Sequence, residues 1–249
     1  MRDLPLTDTE RFPEPHPKLA IPDLLRAGMV GLAVTLAALP VLSAGPGAVG
    51  VAILAYGAAF ARVAQVMRRA YPHERFGACN LVTLCRAGMV AALLGAVVGA
   101  PEGGQAAGWA VAVVAGIGLA LDGIDGWLAR RSGLVSDVGA RFDLEVDAAL
   151  ALVLALHVLS GTAVGAEVLV LGSLRYVFVA AGWIAPWLRG DLPFSQRRRV
   201  ICVVQIAALI FLVTPLAGDD LAIWTARLAS AALVWSFAVD VAHLWRVRA

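Results

Sequence analysis

The chain has 249 residues, 60% of them hydrophobic, with a mean hydropathy of +0.81 and a formal net charge of +2 at pH 7. This composition is far too apolar for a soluble globular protein. We therefore expect a protein of the lipid bilayer, without a nucleic-acid partner.

Eight apolar stretches are long enough, or nearly so, to cross a hydrocarbon core of about 30 Å as helices. They lie at residues 24–44, 47–67, 80–100, 106–128, 142–163, 167–188, 199–217 and 221–245. Residues 1–23 are a polar, proline-rich lead-in, and residues 24–75 form a two-helix N-terminal extension. The six helices of residues 76–249 contain all the recognisable chemistry. The predicted fold is an all-α polytopic membrane helix bundle, with a six-helix core and two N-terminal transmembrane helices.

The placement of the arginines predicts the orientation of these helices. The loops near 45–46, 101–105, 163–167 and 217–220 contain neither lysine nor arginine. The alternate loops, near 68–79, 129–141 and 189–198, are rich in arginine. Because cytoplasmic loops carry the excess of cations, we expect an integral inner or plasma membrane protein with both termini in the cytoplasm.

Four aspartates stand at the cytoplasmic mouth of the fourth and fifth predicted helices. Asp122 and Asp125 are three residues apart, and Asp143 and Asp147 are four apart, so each pair shares one helix face. A hairpin of about 14 residues brings the two helix ends side by side. Four facing carboxylates need compensating charge, and hard divalent cations, Mg²⁺ or Mn²⁺, are the usual partners of such oxygens. The pattern predicts two divalent cations that clamp a pyrophosphate.

The residues between these aspartates favour the same interpretation. Gly126, Ala129 and Gly139 are small and would let a ligand approach the backbone closely. Arg130 lies two helical turns beyond Asp122, where a guanidinium can bind phosphate oxygens. Nearby, Asp137 is interpreted as a solvated turn residue, and Glu145 is expected to point away from the site.

Together these residues form the pattern D-x2-D-G-x2-A-R-x8-G-x3-D-x3-D, with all eight fixed positions filled. The pattern matches the sequence signature of the CDP-alcohol phosphotransferase (CDP-alcohol phosphatidyltransferase) family, and the resemblance covers roughly residues 76–246, the family's usual six-helix core. The run Asn80-Leu-Val-Thr83-Leu-Cys-Arg86 also resembles the N-x2-T-x2-R run that often opens this core. Cys79 stands where a proline is common.

The resemblance implies that one alcohol displaces CMP from a CDP-linked alcohol. It implies that Asp122, Asp125, Asp143 and Asp147 hold two divalent cations, and that Asp147 is also the general base. By the same resemblance, the residues that line the CDP pocket are Gly126, Ala129, Arg130 and Gly139, with Asn80 and Thr83 near the nucleotide. Family members are commonly homodimers.

The first-ranked function is transfer of a phosphatidyl group from CDP-diacylglycerol to a small polar alcohol. A phosphorylated acceptor, such as glycerol 3-phosphate or an inositol phosphate, ranks first because several arginines could bind its phosphate: Arg141, Arg175, Arg197, Arg198 and Arg199. Alternatively, the arginines of the 189–198 loop and Arg199 anchor it to anionic lipid, and Arg175 forms a structural ion pair. A serine or choline acceptor, or a CDP-choline or CDP-ethanolamine donor, ranks lower.

Two other classes of membrane protein could also contain such aspartates. A membrane cation transporter would also contain intramembrane carboxylates. However, the four aspartates lie at one surface, and the sequence shows no second acidic cluster or broken helix near the midplane. A structural membrane protein with remnant aspartates is disfavoured because the pattern is complete.

Overall fold

The computed structural model describes residues 20–99, 105–190, 192–193 and 195–248. Within these ranges the chain contains helices and no strands. The helices are α1 (Ile21–Val41), α2 (Pro46–Ala70), α3 (Gly77–Gly99), α4 (Gln105–Ser132), α5 (Asp137–Gly161), α6 (Leu169–Ile184), α7 (Gln196–Val213) and α8 (Asp219–Arg246). Short 3-10 turns at Ala166–Val168 and Pro186–Arg189 flank α6. The predicted all-α bundle is confirmed, while most of the predicted lead-in, residues 1–19, lies outside the described part.

Six segments of the described chain are long and apolar enough to cross a membrane: α1, α2, α3, most of α4, α6 with its preceding turn, and α8. Helices α5 and α7 form where they were predicted but fall outside this group. Charged residues lie near the start of both helices, among them Asp137 and Arg141 in α5 and Arg197 to Arg199 in α7. Their apolar portions are correspondingly shorter.

The hairpin between α4 and α5 is tighter than the apolar pattern indicated. Helix α4 continues to Ser132 and α5 begins at Asp137, so only residues 133–136 connect them. Arg130 and Arg131 extend α4 beyond its apolar part, because arginine has a good helix propensity. Gly133 adopts a φ of 70°, and the Ser136 hydroxyl caps α5 by accepting a bond from the Gly139 amide at 3.1 Å. This turn directs the first residues of α5 back towards the end of α4.

Helix α3 lies at the centre of the bundle. It packs against α1, α2, α4 and α5. Of its most apolar segment, 61% is buried, against 22–33% in the other candidate spans. Glycines permit this central position: a Cβ on Gly88 would lie 2.5 Å from the Gly31 carbonyl oxygen of α1, and one on Gly95 would lie 2.5 Å from the Ala48 carbonyl oxygen of α2. Such contacts let helix backbones approach closely.

Candidate active site

The four aspartates converge on one side chain of α3, that of Arg86. Arg86 is 1% exposed, and its Nη1 lies 3.2 Å from Asp122 Oδ1 and 3.0 Å from Asp125 Oδ2. The same nitrogen also donates to Asp143, and Nη2 donates to Asp147. Its Nε donates to the Gly118 carbonyl oxygen of α4 at 3.0 Å. One guanidinium therefore joins α3 to both helices that carry the aspartates.

The carboxylates form a donor set suited to hard cations. Asp122, Asp143 and Asp147 each present an oxygen, and these oxygens all lie within 4.8 Å of one another. Arg86 balances one of the four formal negative charges, which leaves the cluster at −3. Oxygen ligands and excess negative charge are what Mg²⁺ and Mn²⁺ require. The residues present therefore fit a divalent-cation site.

Asp125 is held differently from the other three aspartates. It is 4% exposed, and its Oδ2 accepts a hydrogen bond from the Thr83 hydroxyl at 3.0 Å in addition to the Arg86 contact. Asp122, Asp143 and Asp147 are half-buried. Asp125 is thus the most constrained member of the cluster, because two neighbours on α3 fix one of its oxygens.

A cavity of about 210 Å³ adjoins the aspartates between α3, α4 and α5. Its lining includes every residue predicted for CDP binding: Asn80, Thr83, Gly126, Ala129, Arg130 and Gly139. Asp125 and Asp143 also line it. Residues from three helices, up to 64 positions apart in the chain (Cys79 to Asp143), thus surround one space.

A family model described as CDP-alcohol phosphatidyltransferase matches residues 76–242. The chain belongs to the CDP-alcohol phosphatidyltransferase family. The match contains the aspartates, Arg86 and the whole lining of the cavity, and it leaves α1 and α2 outside. Neither the curated proteins nor the solved structures gave a match to the chain. Membership identifies an integral membrane transferase of phospholipid synthesis, of a family that is generally dependent on divalent cations.

The arginines predicted for acceptor binding are more scattered. Within the described ranges, none of the five lines the 210 Å³ cavity. Arg175 pairs with Glu145, and Arg197 binds Asp240 together with the Ser236 hydroxyl and carbonyl of α8. Arg198 donates to the Pro193 carbonyl and lies 3.7 Å from Asp240.

The remaining two arginines, Arg141 and Arg199, are exposed and form no ion pair with the residues that the structure describes. They are therefore the two members of the predicted set whose guanidinium groups form no ion pair within the described part of the chain.

The sequence pattern assigns Arg86 no role of its own beyond the last position of the N-x2-T-x2-R run. The available indication was its position near the middle of an apolar helix, since a cation within a membrane span requires a partner. The four aspartates were the obvious partners by charge, but only the packing of α3 between α4 and α5 brings them together.

Proposed function

We propose that this protein transfers a phosphatidyl group from CDP-diacylglycerol to a small polar alcohol and releases CMP. One observation supports this most: two aspartates of the cluster, Asp125 and Asp143, line the same cavity as all six residues expected to bind CDP. Family membership supplies the reaction class, phosphatidyl transfer from a CDP-alcohol.

In this proposal Asp122, Asp125, Asp143 and Asp147 hold two divalent cations, Mg²⁺ or Mn²⁺. When bound, the cations would withdraw charge from the donor pyrophosphate and make CMP a better leaving group. Arg130, exposed at the cavity, binds phosphate oxygens through paired N–H groups. Gly126 and Gly139 leave room for the nucleotide against the backbone of α4 and α5.

Asp147 is the proposed general base. The acceptor hydroxyl attacks the phosphatidyl phosphorus, its proton passes to the Asp147 carboxylate, and the bond from phosphorus to the CMP oxygen breaks. The Asp147 side chain is 13% exposed and lies on α5 one turn beyond Asp143. Its contact with Arg86 orients the carboxylate.

The acceptor is proposed to be phosphorylated, as glycerol 3-phosphate or an inositol phosphate is. Arg141 and Arg199 are the best placed of the predicted arginines to bind its phosphate, because both are exposed. We also propose the division into lead-in (1–23), extension (24–75) and core (76–249), and an active site and termini on the cytoplasmic side, from the arginine pattern of the loops. The homodimer stays a prediction.

The test is release of CMP by purified protein in detergent–lipid micelles. CDP-diacylglycerol and Mn²⁺ or Mg²⁺ would be supplied, and glycerol 3-phosphate, inositol 1-phosphate, inositol, serine and choline would be offered separately. Asp143→Ala serves as the inactive blank and Asp137→Ala as the matched control, because Asp137 is an exposed aspartate on the same helix. Cation-dependent release with one acceptor, lost only in Asp143→Ala, is the expected result.

Absence of release with all five acceptors would contradict the proposed donor and acceptor pair. CDP-choline and CDP-ethanolamine with diacylglycerol would then be tried, as the reverse arrangement within the family. Failure of these too would favour a cation transporter, which could be tested by Mn²⁺ uptake into proteoliposomes.

A further inference from the structure

Arg86 occupies the space between the carboxylates that are proposed to bind metal. Its guanidinium contacts one oxygen of each of the four aspartates, and three of these aspartates present the oxygens that lie within 4.8 Å of one another. An oxygen that accepts a short hydrogen bond from a guanidinium cannot, at the same time, direct that lone pair at a metal ion. The Arg86 guanidinium is therefore a cation that the protein itself supplies to the cluster.

The charge balance shows why the protein needs such a cation. Four carboxylates this close would repel one another strongly if nothing compensated them. Arg86 is 1% exposed, so water compensates its charge very little and the aspartates must do so. Each partner thus satisfies the other, and α4 and α5 are held on α3 by these contacts.

We propose that Arg86 is an internal counter-cation that keeps the four-aspartate cluster assembled without metal and competes with the first divalent cation to bind. This inference rests on the divalent-cation part of the proposed function. Metal binding requires Nη1 and Nη2 to give up at least some of their carboxylate contacts, while the Nε bond to Gly118 keeps the side chain attached to α4. Arg86 is accordingly a positioning residue, and the metal-free protein has a site that is already folded.

The proposal makes a distinctive prediction for Arg86→Gln. Removal of the guanidinium destabilises the metal-free form more than the metal-bound form. The variant is therefore expected to bind Mn²⁺ about tenfold more tightly, or better, than the wild type. The thermal midpoint of Arg86→Gln in EDTA is expected to lie below that of the wild type. Addition of Mn²⁺ is expected to raise the midpoint of the variant by more than it raises that of the wild type. Arg86→Lys, which keeps the charge, lies nearer to the wild type in both measurements.

Mn²⁺ binding by electron paramagnetic resonance and thermal unfolding with EDTA or Mn²⁺ provide these readouts without any measurement of turnover. Arg131→Gln is the matched control, because Arg131 is an exposed arginine of α4 that stacks on Trp127, 5.1 Å from its ring centre. The double variant Arg86→Gln, Asp122→Asn removes one positive and one negative charge together. It is expected to regain stability in EDTA relative to Arg86→Gln alone.

Each outcome decides the proposal. Equal Mn²⁺ affinity and equal stability in EDTA for the wild type and Arg86→Gln would overturn it while the proposed function stands. Absence of Mn²⁺ binding in both proteins would overturn the proposal that Arg86 competes with a divalent cation. It would also overturn the metal assignment of the proposed function. If Arg86→Gln cannot be recovered folded in either buffer, recovery of the double variant supports the proposal, and failure of the double variant overturns it because the defect is then one of packing.

Discussion

The side-chain amide of Asn80 donates to the hydroxyl of Tyr71 at 2.7 Å. Tyr71 directly follows α2, and Asn80 lies in the first turns of α3 at the wall of the 210 Å³ cavity. The same amide donates to the Phe76 carbonyl oxygen, so both of its hydrogens are used and the orientation of the Asn80 side chain is fixed. Burial raises the pKa of the Tyr71 phenol still further above neutral pH.

We expect Tyr71→Phe to weaken donor binding without abolishing the reaction. The change leaves one buried N–H of Asn80 without its acceptor, which costs about 1–3 kcal/mol. The KM for CDP-diacylglycerol should rise while kcat changes little. Asn80→Ala should raise the same KM at least as much, and an unchanged KM in both variants would remove Asn80 from the nucleotide site.

Asp147→Asn is expected to retain the fold and lose turnover. Asparagine has nearly the same shape and can still accept a bond from Arg86, but it cannot take the proton of the acceptor hydroxyl. General-base catalysis typically contributes about 10²–10⁴-fold, so kcat for CMP release should fall by this order. Asp137→Asn should keep normal turnover, and near-normal turnover in Asp147→Asn would exclude Asp147 as the base.

Gly126→Ala should obstruct the cavity without unfolding the helix. A Cβ at Gly126 would meet only the Arg130 guanidinium, at 3.4 Å, which is an ordinary contact, but it would extend into space that we assign to CDP. The expected result is an unchanged thermal midpoint and a KM for the donor raised about tenfold, the equivalent of 1.4 kcal/mol of binding free energy.

Gly123→Ala provides the matched control for that experiment. Gly123 belongs to the same helix, is exposed and does not line the cavity. Among the residues that the structure describes, none lies within 4 Å of a Cβ built on Gly123. Equal donor KM values in the two alanine variants would contradict the assigned position of CDP.

Substitutions of Arg197 and Arg199 should have different effects, one on stability and the other on acceptor binding. Arg197→Gln breaks a half-buried contact with Asp240 and Ser236, so it should lower the free energy of unfolding by about 1–3 kcal/mol. Arg199→Gln should leave the thermal midpoint unchanged and raise the KM for a phosphorylated acceptor about tenfold. If Arg199→Gln left that KM unaltered, Arg141 would be the remaining exposed candidate.

Removal of divalent cations should abolish CMP release by the wild type, because the proposed reaction depends on charge that carboxylates alone cannot supply. EDTA followed by excess Mg²⁺ or Mn²⁺ should restore release. The protein should remain folded throughout, since Arg86 contacts every aspartate of the cluster. Undiminished release in EDTA would contradict the cation requirement.

The sequence predicted most of the fold because apolar length is nearly sufficient to locate membrane helices. It misjudged the hairpin between α4 and α5, where Arg130, Arg131, Asp137 and Arg141 are helical although polar. The length of an apolar stretch predicts the part of a helix that lies in lipid. The helix itself continues beyond the bilayer wherever the helix propensity of its residues and its caps allow.

The candidate site was predictable to the extent that its residues are close in the chain. Asp122 to Asp147 lie on two consecutive helices, so helical spacing alone indicated their shared faces. Arg86 lies 36 residues before Asp122, and its position among the aspartates depends on how α3 packs. Likewise, the pairing of Arg197 with Asp240 of α8, 43 residues away, could not be read from the run of three arginines.

The deep burial of α3 has a consequence for the way the chain enters the membrane. Synthesis delivers α1 and α2 first, then α3 with Arg86, and only afterwards the helices that carry the neutralising carboxylates. An unpaired arginine in a lipid-facing helix is costly. The glycine contacts of Gly31 with Gly88 and of Ala48 with Gly95 give α3 a fitted protein surface on one side before α4 exists. In a protein shortened to residues 76–249, α3 would have to insert with Arg86 but without the glycine-fitted surfaces of α1 and α2. We therefore expect the shortened protein to insert less efficiently than the whole chain.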